Sequence, residues 1–332
     1  MFEAAGMTQA DARIVCHCLL EAELAGVSTH GIAMVPAHLK KCKQGYDLSA
    51  KLKIIKSTAA FTVCDAHNAI GMLSAWKCVE LAVRKAEESG MHLVLCNNAN
   101  TFSAAYCYAQ YAVEHGKIAI VACNSPAQMA PLGGKEKLLG TNPLAIAIPA
   151  GQEEPFILDM ATSAVAKSRI NEALRNGVDK IPFGWATDMD GNPTDDPKEA
   201  VKGLILPMAG PKGYGLAMAI DILAGLLAHA ACLDGVGRFY SEDNRCMNVG
   251  HVFMVIDPAA IYGPGFYEDM DAYLRRIRTS QSVSQAPVLV PGDINANTRR
   301  RLLAEGIELT DKVVGELNGL LAQIGQPELE EM

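Results

Sequence analysis

His30 stands among small polar residues at a corner between two predicted helices. The apolar spacing predicts one helix that ends at Gly26 and a second over Val35 to Lys43, and the run between them contains Ser-Thr-His-Gly. An imidazole titrates near neutral pH, so a histidine at such a corner suits general acid and base catalysis. A hydrogen-bonded structural histidine is the competing interpretation, and these residues alone leave both open.

Lys212, which is flanked by glycines, offers a second kind of chemistry. The segment Gly210-Pro211-Lys212-Gly213-Tyr214-Gly215 opens a strongly apolar predicted helix, Leu216 to Ala230. The N–H groups at a helix start attract phosphate, and a lysine there adds positive charge. The same glycines also suit a tight entry turn. The uniform hydrophobicity of 216–230 predicts burial between layers or at a subunit interface.

Between these two candidates lies a turn-rich stretch, residues 124–163. Short apolar runs predict strands over Leu144 to Pro149 and Phe156 to Leu158, and Gly, Pro and Asn residues separate them. Turns of this kind expose backbone N–H groups that can hold a ligand. Tight turns in an antiparallel sheet explain the same pattern, so the stretch alone does not decide between the two interpretations.

The elements that must position these residues alternate along the chain. Strand-like patterns alternate with helical ones at Leu52 to Cys64, Ile70 to Ser89, His92 to Cys96, Ser103 to Glu114 and Ile118 to Cys123. Later segments predict helices at Ala164 to Arg175, Gly265 to Thr279 and Thr310 to Leu321, and a strand at His251 to Asp257. This order predicts an α/β fold with layers of helix on sheet. No G-x-G-x-x-G follows a predicted strand, so the standard dinucleotide-binding fold is not supported.

Composition narrows the class of protein. The chain has 332 residues, 50% of them hydrophobic and 20% charged, which is enough to bury a sizeable core. A net charge of -8 argues against nucleic-acid or anionic-membrane partners. No apolar run is long enough to span a membrane, and we expect a cytoplasmic protein. The ten cysteines are dispersed and lack metal-ligand spacing, so we expect reduced thiols and no metal.

Seven short motifs, in order along nearly the whole chain, carry a resemblance. They are Ser28-Thr29-His30-Gly31, Asn97-Asn98-Ala99-Asn100, Asn124-Ser125-Pro126, Met129-Ala130-Pro131, Gly140-Thr141-Asn142-Pro143, Asp159-Met160-Ala161-Thr162-Ser163 and Lys212-Gly213-Tyr214-Gly215-Leu216. The chain resembles the malate/L-lactate dehydrogenase family, which includes ureidoglycolate, sulfolactate and diketogulonate oxidoreductases. The resemblance implies a homodimeric enzyme with a non-Rossmann nicotinamide-binding α/β fold, a mixed sheet with flanking helices. It also implies NAD or NADP as cofactor and a 2-hydroxy or 2-oxo acid, or a related carbonyl, as small-molecule substrate.

The resemblance also implies a set of site residues and a division of the chain. His30 corresponds to the family's acid and base, and the substrate-binding positions correspond to Met34, His38, Thr101 and Asn142. The cofactor-binding positions correspond to Phe156, Ile157, Leu158, Asp159, Met160, Ala161, Lys212, Gly292 and Asp293. Residues 51–264 form the expected α/β cofactor-binding region. Residues 1–50 and 265–332 form the expected helical region for the substrate side and dimerisation.

Three of these positions depart from the family's pattern. The family's arginine four residues after the histidine is Met34, a tyrosine eight residues after it is His38, and a second histidine is Thr101. An arginine contributes about 1.5–3 kcal/mol per charge-assisted hydrogen bond to a carboxylate. We therefore expect ordinary malate or lactate to bind poorly unless Lys135, Arg169 or His38 substitutes. A less anionic or bulkier substrate, a cyclic imine, and a catalytically inactive relative all remain open.

Overall fold

A seven-stranded mixed sheet forms the centre of the molecule. The computed structural model describes residues 1–242 and 245–329. Residues 243–244, in the expected region 51–264, and residues 330–332, in the expected region 265–332, lie outside the described residues. The strands are β1 Lys53–Ser57, β2 Phe61–Asp65, β3 Met91–Ala99, β4 Ile118–Cys123, β5 Leu144–Ile148, β6 Phe156–Met160, β7 Ala186–Thr187, β8 Pro193–Thr194 and β9 Val249–Ile256. The order in the large sheet is β1-β2-β3-β9-β4-β5-β6, and β7 and β8 form a separate ribbon.

Helices cover and flank the sheet. They are α1 Gln9–Leu24, α2 Val35–Gln44, α3 Gly71–Ser89, α4 Ala105–Glu114, α5 Lys167–Arg175, α6 Pro197–Lys202, α7 Pro211–Asp221, α8 Pro258–Tyr262, α9 Phe266–Arg278, α10 Asp293–Glu305 and α11 Asp311–Gln323. Two 3₁₀ turns, Ser28–His30 and Ile32–Met34, connect α1 to α2. A π turn, Ile222–Leu227, continues α7.

Strand β9 lies between β3 and β4 and runs antiparallel to both. Phe253 of β9 pairs with Val94 on one side and Val121 on the other, and it is fully buried. Among the described strands, β2 with β3 is the one parallel pair. The insertion separates two strands that would be neighbours in a simple parallel βαβ sheet. The expected α/β fold with a mixed sheet is confirmed.

The large core beside the sheet positions the loops that follow β3. Helix α3 packs buried Val79 and Ala82 into this core, and Tyr108 of α4 is fully enclosed. The start of α3 lies directly against the loop, because a Cβ on Gly71 would come within 2.1 Å of the Asn100 carbonyl oxygen and 2.2 Å of the Thr101 one. Only a glycine permits this approach without moving the loop. The core therefore fixes the backbone at Thr101.

The largest differences in extent concern three predicted elements. The segment Leu52 to Cys64 is a hairpin of two strands, since Thr58 accepts hydrogen bonds from Ala60 N and Phe61 N and turns the chain. The helix predicted from Ala164 begins only at Lys167. The apolar helix predicted to Ala230 is regular only to Asp221 and then becomes the π turn.

Candidate functional site

His30 ends the first 3₁₀ turn and is half-buried. Its Nδ1 lies 3.0 Å from Thr29 Oγ1, and its backbone carbonyl accepts a hydrogen bond from Ser103 Oγ. A Cβ on Gly31 would lie 2.2 Å from Glu23 Oε2, so a larger residue there would displace the carboxylate that accepts a hydrogen bond from Ile32 N. Burial lowers the pKa of His30, so the ring is neutral near pH 7 and can accept a proton. With Nδ1 occupied by Thr29, Nε2 is the nitrogen left for a ligand.

Met34 and His38 follow His30 at intervals of four residues. The Met34 sulfur accepts a hydrogen bond from the Tyr240 hydroxyl at 3.6 Å. His38 is buried, and its ring centroid lies 4.9 Å from that of Phe239. Burial, with the charge of nearby His30 as a smaller cause, lowers the pKa of His38 to about 3. His38 is therefore neutral at ordinary pH and supplies no positive charge for a substrate carboxylate.

Thr101 lies half-buried in the loop after β3, which the residues beneath it hold in place. Asn100 Nδ2 donates to Asn68 Oδ1 at 2.9 Å and to the Ala69 carbonyl at 2.8 Å. His251 of β9 lies with Nε2 3.0 Å from the Asn100 carbonyl oxygen, and its burial lowers its pKa to about 4. Sequence reasoning missed this support by His251, because the histidine lies 151 positions from its partner in the chain.

Asn142 is buried, and hydrogen bonds within the fold occupy its side chain. Its Oδ1 accepts from Ser125 N at 3.0 Å, and its Nδ2 donates to the Ala217 carbonyl at 2.8 Å. It thereby ties the loop after β4 to helix α7. The predicted substrate contact of Asn142 stays a prediction.

Strand β6 brings together the segments predicted to hold the cofactor. One edge pairs with β5, and on the other edge Ile157 N donates to the Pro291 carbonyl at 2.9 Å. Gly292 follows with a φ of 105°, and a Cβ there would lie 3.0 Å from Ile157 N. Phe156 and Leu158 are half-buried and Ile157 is buried. The predicted residues Gly292 and 156–158 are therefore neighbours.

Asp159, near the end of β6, is exposed to solvent although protein atoms surround its carboxylate. Tyr106 N, in the first turn of α4, donates to Asp159 Oδ2 at 2.9 Å. The side chain is exposed, yet the protein atoms around the carboxylate raise its pKa to about 6. Met160 and Ala161, which follow Asp159, are half-buried.

Lys212 stands close to the far end of β6. It is exposed in the first turn of α7, and no side chain caps that helix start. A Cβ on Gly213 would lie 2.7 Å from the Thr162 carbonyl oxygen, so α7 begins against the residue that follows Ala161. Lys212 has no ion pair with any residue in the described ranges. The uncapped backbone N–H groups of α7 and the ammonium group of Lys212 therefore make the start of this helix positive.

Asp293, by contrast, is buried in an ion pair. Arg278 Nη2 lies 2.6 Å from its Oδ1, and Val290 N donates to its Oδ2 at 2.8 Å. Burial raises the pKa of Asp293, but the Arg278 pair and the hydrogen bonds outweigh that effect and lower it overall. The carboxylate thus fixes the turn that carries Gly292. Its predicted contact with the cofactor stays a prediction.

A cavity of about 610 Å³ opens beside the His30 corner. Its walls come from the 3₁₀ turns, from α5, from the start of α11 and from Tyr240, and they include Ser28, Thr29, Met34, Ser168, Arg175 and Lys312. A cavity of this size suits a small ligand. Lys135, proposed as a substitute cation, is exposed and lines a different cavity of about 550 Å³. Arg169 is exposed and is not among the residues that line the larger one.

The described residues contain neither a candidate metal site nor a membrane-spanning helix. Between residues 1 and 242 and between 245 and 329, no group of three or more His, Cys, Asp or Glu side chains is placed to hold a metal ion. Over those ranges no helix has both the length and the apolar character needed to cross a bilayer. All ten cysteines are free thiols.

The fold and the site together define an α/β protein with a half-buried imidazole at a helix corner, an edge strand flanked by Gly292 and the start of α7, and a ligand-sized cavity. The family model described as malate/L-lactate dehydrogenase matches residues 1–318. The chain belongs to the malate/L-lactate dehydrogenase family. It is therefore an NAD(P)-dependent dehydrogenase, which confirms the enzyme class and the nicotinamide cofactor expected from the motifs.

Individual relatives agree with this assignment. The L-sulfolactate dehydrogenase of Methanocaldococcus jannaschii is 36% identical over 323 residues, which are 96% of this chain and 92% of that protein. A solved sulfolactate dehydrogenase structure from the same organism matches with a TM-score of 0.91 at 36% identity, covering 98% of this chain and 93% of that one. The delta1-piperideine-2-carboxylate reductase of Pseudomonas syringae pvar. tomato matches with a TM-score of 0.86 at 27% identity, covering 96% and 95%.

The raised pKa of Asp159 predicts a pH-dependent effect on stability. An acid whose pKa is higher in the folded state destabilises the fold as pH rises from about 4 to about 6. Asp159→Asn removes this penalty and should raise the free energy of unfolding at about pH 7 by roughly 1 kcal/mol, after allowance for solvent screening, and not at about pH 4. Urea unfolding at both pH values measures the difference.

The control for this prediction is Asp188, an exposed carboxylate whose pKa is lowered by hydrogen bonds from Asn192. Asp188→Asn should lower stability at neutral pH, the opposite sign. If Asp159→Asn changed stability equally at both pH values, desolvation of Asp159 would not be the cause.

Proposed function

We propose that this dehydrogenase transfers a hydride between nicotinamide and the second carbon of a small 2-hydroxy or 2-oxo acid, or a related carbonyl. The observation that carries the proposal is the half-buried imidazole of His30, whose pKa is lowered by burial, in the turn whose Ser28 and Thr29 line a ligand-sized cavity. In oxidation, His30 Nε2 accepts the hydroxyl proton as the hydride leaves carbon. In reduction, the same nitrogen returns that proton to the carbonyl oxygen.

The cofactor, NAD or NADP, would lie along β6. When bound, the nicotinamide accepts or supplies the hydride. Gly292 lies against the first half of the strand, Asp159 is exposed in its second half, and Lys212 with the uncapped start of α7 lies near its end. A helix start with a free lysine suits the negative pyrophosphate. These residues fit a dinucleotide that runs from Gly292 towards α7.

The substrate would differ from ordinary malate or lactate on its carboxylate side. Met34 presents a thioether that the Tyr240 hydroxyl contacts, and His38 is neutral. Neither side chain can form the charge-assisted pair that an arginine forms with a carboxylate. Thr101, held beside this corner by the Asn100 network, replaces an imidazole with a hydroxyl. We propose these three positions as determinants of substrate choice.

Replacing His30 tests the proposed chemistry. His30→Ala should lower turnover of a 2-oxo acid with NADH or NADPH by about 10² to 10⁴, because a positioned acid and base contributes that much. Cofactor affinity, read from quenching of protein fluorescence, should not change. His17→Ala is the matched control, since His17 is exposed on α1 and its ring contacts Trp76.

Each result has a distinct meaning. Equal turnover by His30→Ala and wild type would contradict the role of His30. Cofactor binding without turnover of any oxo acid or imine by wild type would identify a catalytically inactive relative.

A cyclic imine is the second candidate substrate. It is supported by the fold match to a delta1-piperideine-2-carboxylate reductase and by Thr101 in place of a second histidine. An iminium already carries its proton, so its reduction depends less on a second acid. A panel that includes cyclic imino acids beside open-chain 2-oxo acids separates the two candidates.

We also propose a homodimer, with one apolar face of α7 and the π turn in its interface. The large apolar side chains exposed on this segment in the single chain are Leu216, Met218, Ile222, Leu223, Leu226 and Leu227. Contiguous exposed apolar surface on one segment is typical of an interface. This face lies within 51–264, whereas dimerisation was expected from 1–50 and 265–332. That division and the cytoplasmic location stay predictions.

Charge on this face should separate the subunits. Leu226, which is 61% exposed, becomes charged in Leu226→Glu, and burying that charge in an interface is costly. Sedimentation velocity should show wild type at twice the chain mass and Leu226→Glu at the chain mass. Tyr273→Glu, at a residue 62% exposed on α9, should sediment like wild type. A monomeric wild type at micromolar concentration would refute the dimer.

A further inference from the structure

Most charged side chains that line the cavity beside His30 are either bonded to other protein groups or negatively charged. Its charged residues are Glu23, Arg175, Glu172, Glu308, Lys312 and Glu316. Glu23 Oε2 accepts a hydrogen bond from Ile32 N at 2.9 Å, and Lys312 Nζ lies 3.9 Å from Glu316 Oε1. Arg175 has no ion pair or hydrogen-bond partner for its guanidinium among residues 1–242 and 245–329. It is the one cation on these walls that is left for a ligand.

The position of Arg175 is set by helix α5. Ser168, Glu172 and Arg175 follow one another at helical spacing and line the same cavity. On the other side of the helix, Ile170 is fully buried in a separate hydrophobic cluster. The helix is therefore anchored, and the side chain of Arg175 reaches the cavity from a fixed backbone. Thr29 and Met34 line the same cavity.

Other cations fail as candidates for this cavity. Lys135 lines a different one, and Lys212 lies at the α7 start near the end of β6. His38 is buried and neutral. A free guanidinium also has the planar fork that matches a carboxylate in two parallel hydrogen bonds.

We propose that Arg175 binds the carboxylate of the substrate in the cavity beside His30. The inference rests on the proposed function and names the residue that takes the place of the cation missing at Met34. A 2-oxo acid carries its carboxylate one bond from the carbonyl. Holding that carboxylate at α5 directs the carbonyl towards the wall formed by Thr29, which precedes His30.

Binding of oxamate, a non-reacting 2-oxo carboxylate analogue, tests this without turnover. Its affinity for the complex of protein and NADH can be read from quenching of the fluorescence of bound NADH. Arg175→Met should weaken oxamate binding by about 10- to 100-fold, the loss expected for a charge-assisted pair. Arg175→Lys keeps the charge without the fork and should fall in between.

Two controls distinguish binding from a structural effect. Arg276→Met removes an exposed arginine from the last turn of α9, the same kind of position, and should leave oxamate affinity unchanged. Oxamide, the uncharged isostere of oxamate, should bind wild type and Arg175→Met alike. Wild-type oxamate affinity in Arg175→Met would overturn the proposal, and so would equal losses for oxamate and oxamide. A wild-type complex that bound NADH but no oxamate would overturn it too. Failure of wild type to bind NADH would instead contradict the proposed function on which it rests.

Discussion

The hydrogen bonds that buried strand β9 makes to the loops after β3 and β4 hold the site together. His251 holds the Asn100 carbonyl, and the loop that begins there continues to Ser103, whose hydroxyl binds the backbone of His30. On the other side, Gly250 N donates to Asn124 Oδ1, and Asn124 Nδ2 bonds Asp221 at the end of α7. One strand thus links the His30 corner to the helix whose start carries Lys212. Its central place in the sheet makes these loops rigid.

Desolvation decides the charge state of the site's titratable groups. Burial lowers the pKa of His30, His38 and His251, and it raises that of Asp159. The imidazoles are neutral where a hydroxy acid would be oxidised, which favours proton acceptance by His30. The same desolvation means that no histidine at this corner neutralises a carboxylate. A positive charge for the substrate carboxylate must therefore come from outside this corner, and α5 brings Arg175 to the cavity.

The elements with strong local signals were predictable from the sequence, and those set by tertiary packing were not. Strand β4 was predicted with its observed bounds, and α3 to within one residue, because apolar periodicity and a terminal glycine mark them. Helix α10 was missed because its mostly polar and charged sequence has few apolar residues to show a helical period. Its ion pair joins Arg299 to Glu21, which lies 278 positions away in the chain. The position of β9 between β3 and β4 could not be predicted, because the order of strands in a sheet does not alter the spacing of apolar residues along the chain.

The site shows the same division. The motifs pointed to His30 and to β6, and the structure brings Gly292 and the α7 start to opposite ends of that strand. The sequence placed a possible substitute cation on α5 at Arg169, yet the arginine of that helix that lines the cavity is Arg175. That choice depends on which face of α5 packs with Ile170 into its hydrophobic cluster, which spacing along one helix cannot give.

The decisive experiment is a structure of the protein with NADH and oxamate bound. We expect a dinucleotide along β6 between Gly292 and the start of α7, with its nicotinamide ring near His30 Nε2 and the oxamate in the adjoining cavity. A dinucleotide bound elsewhere would contradict it, for example in the groove of about 640 Å³ between α1, α3 and β1. So would a nicotinamide ring out of reach of His30.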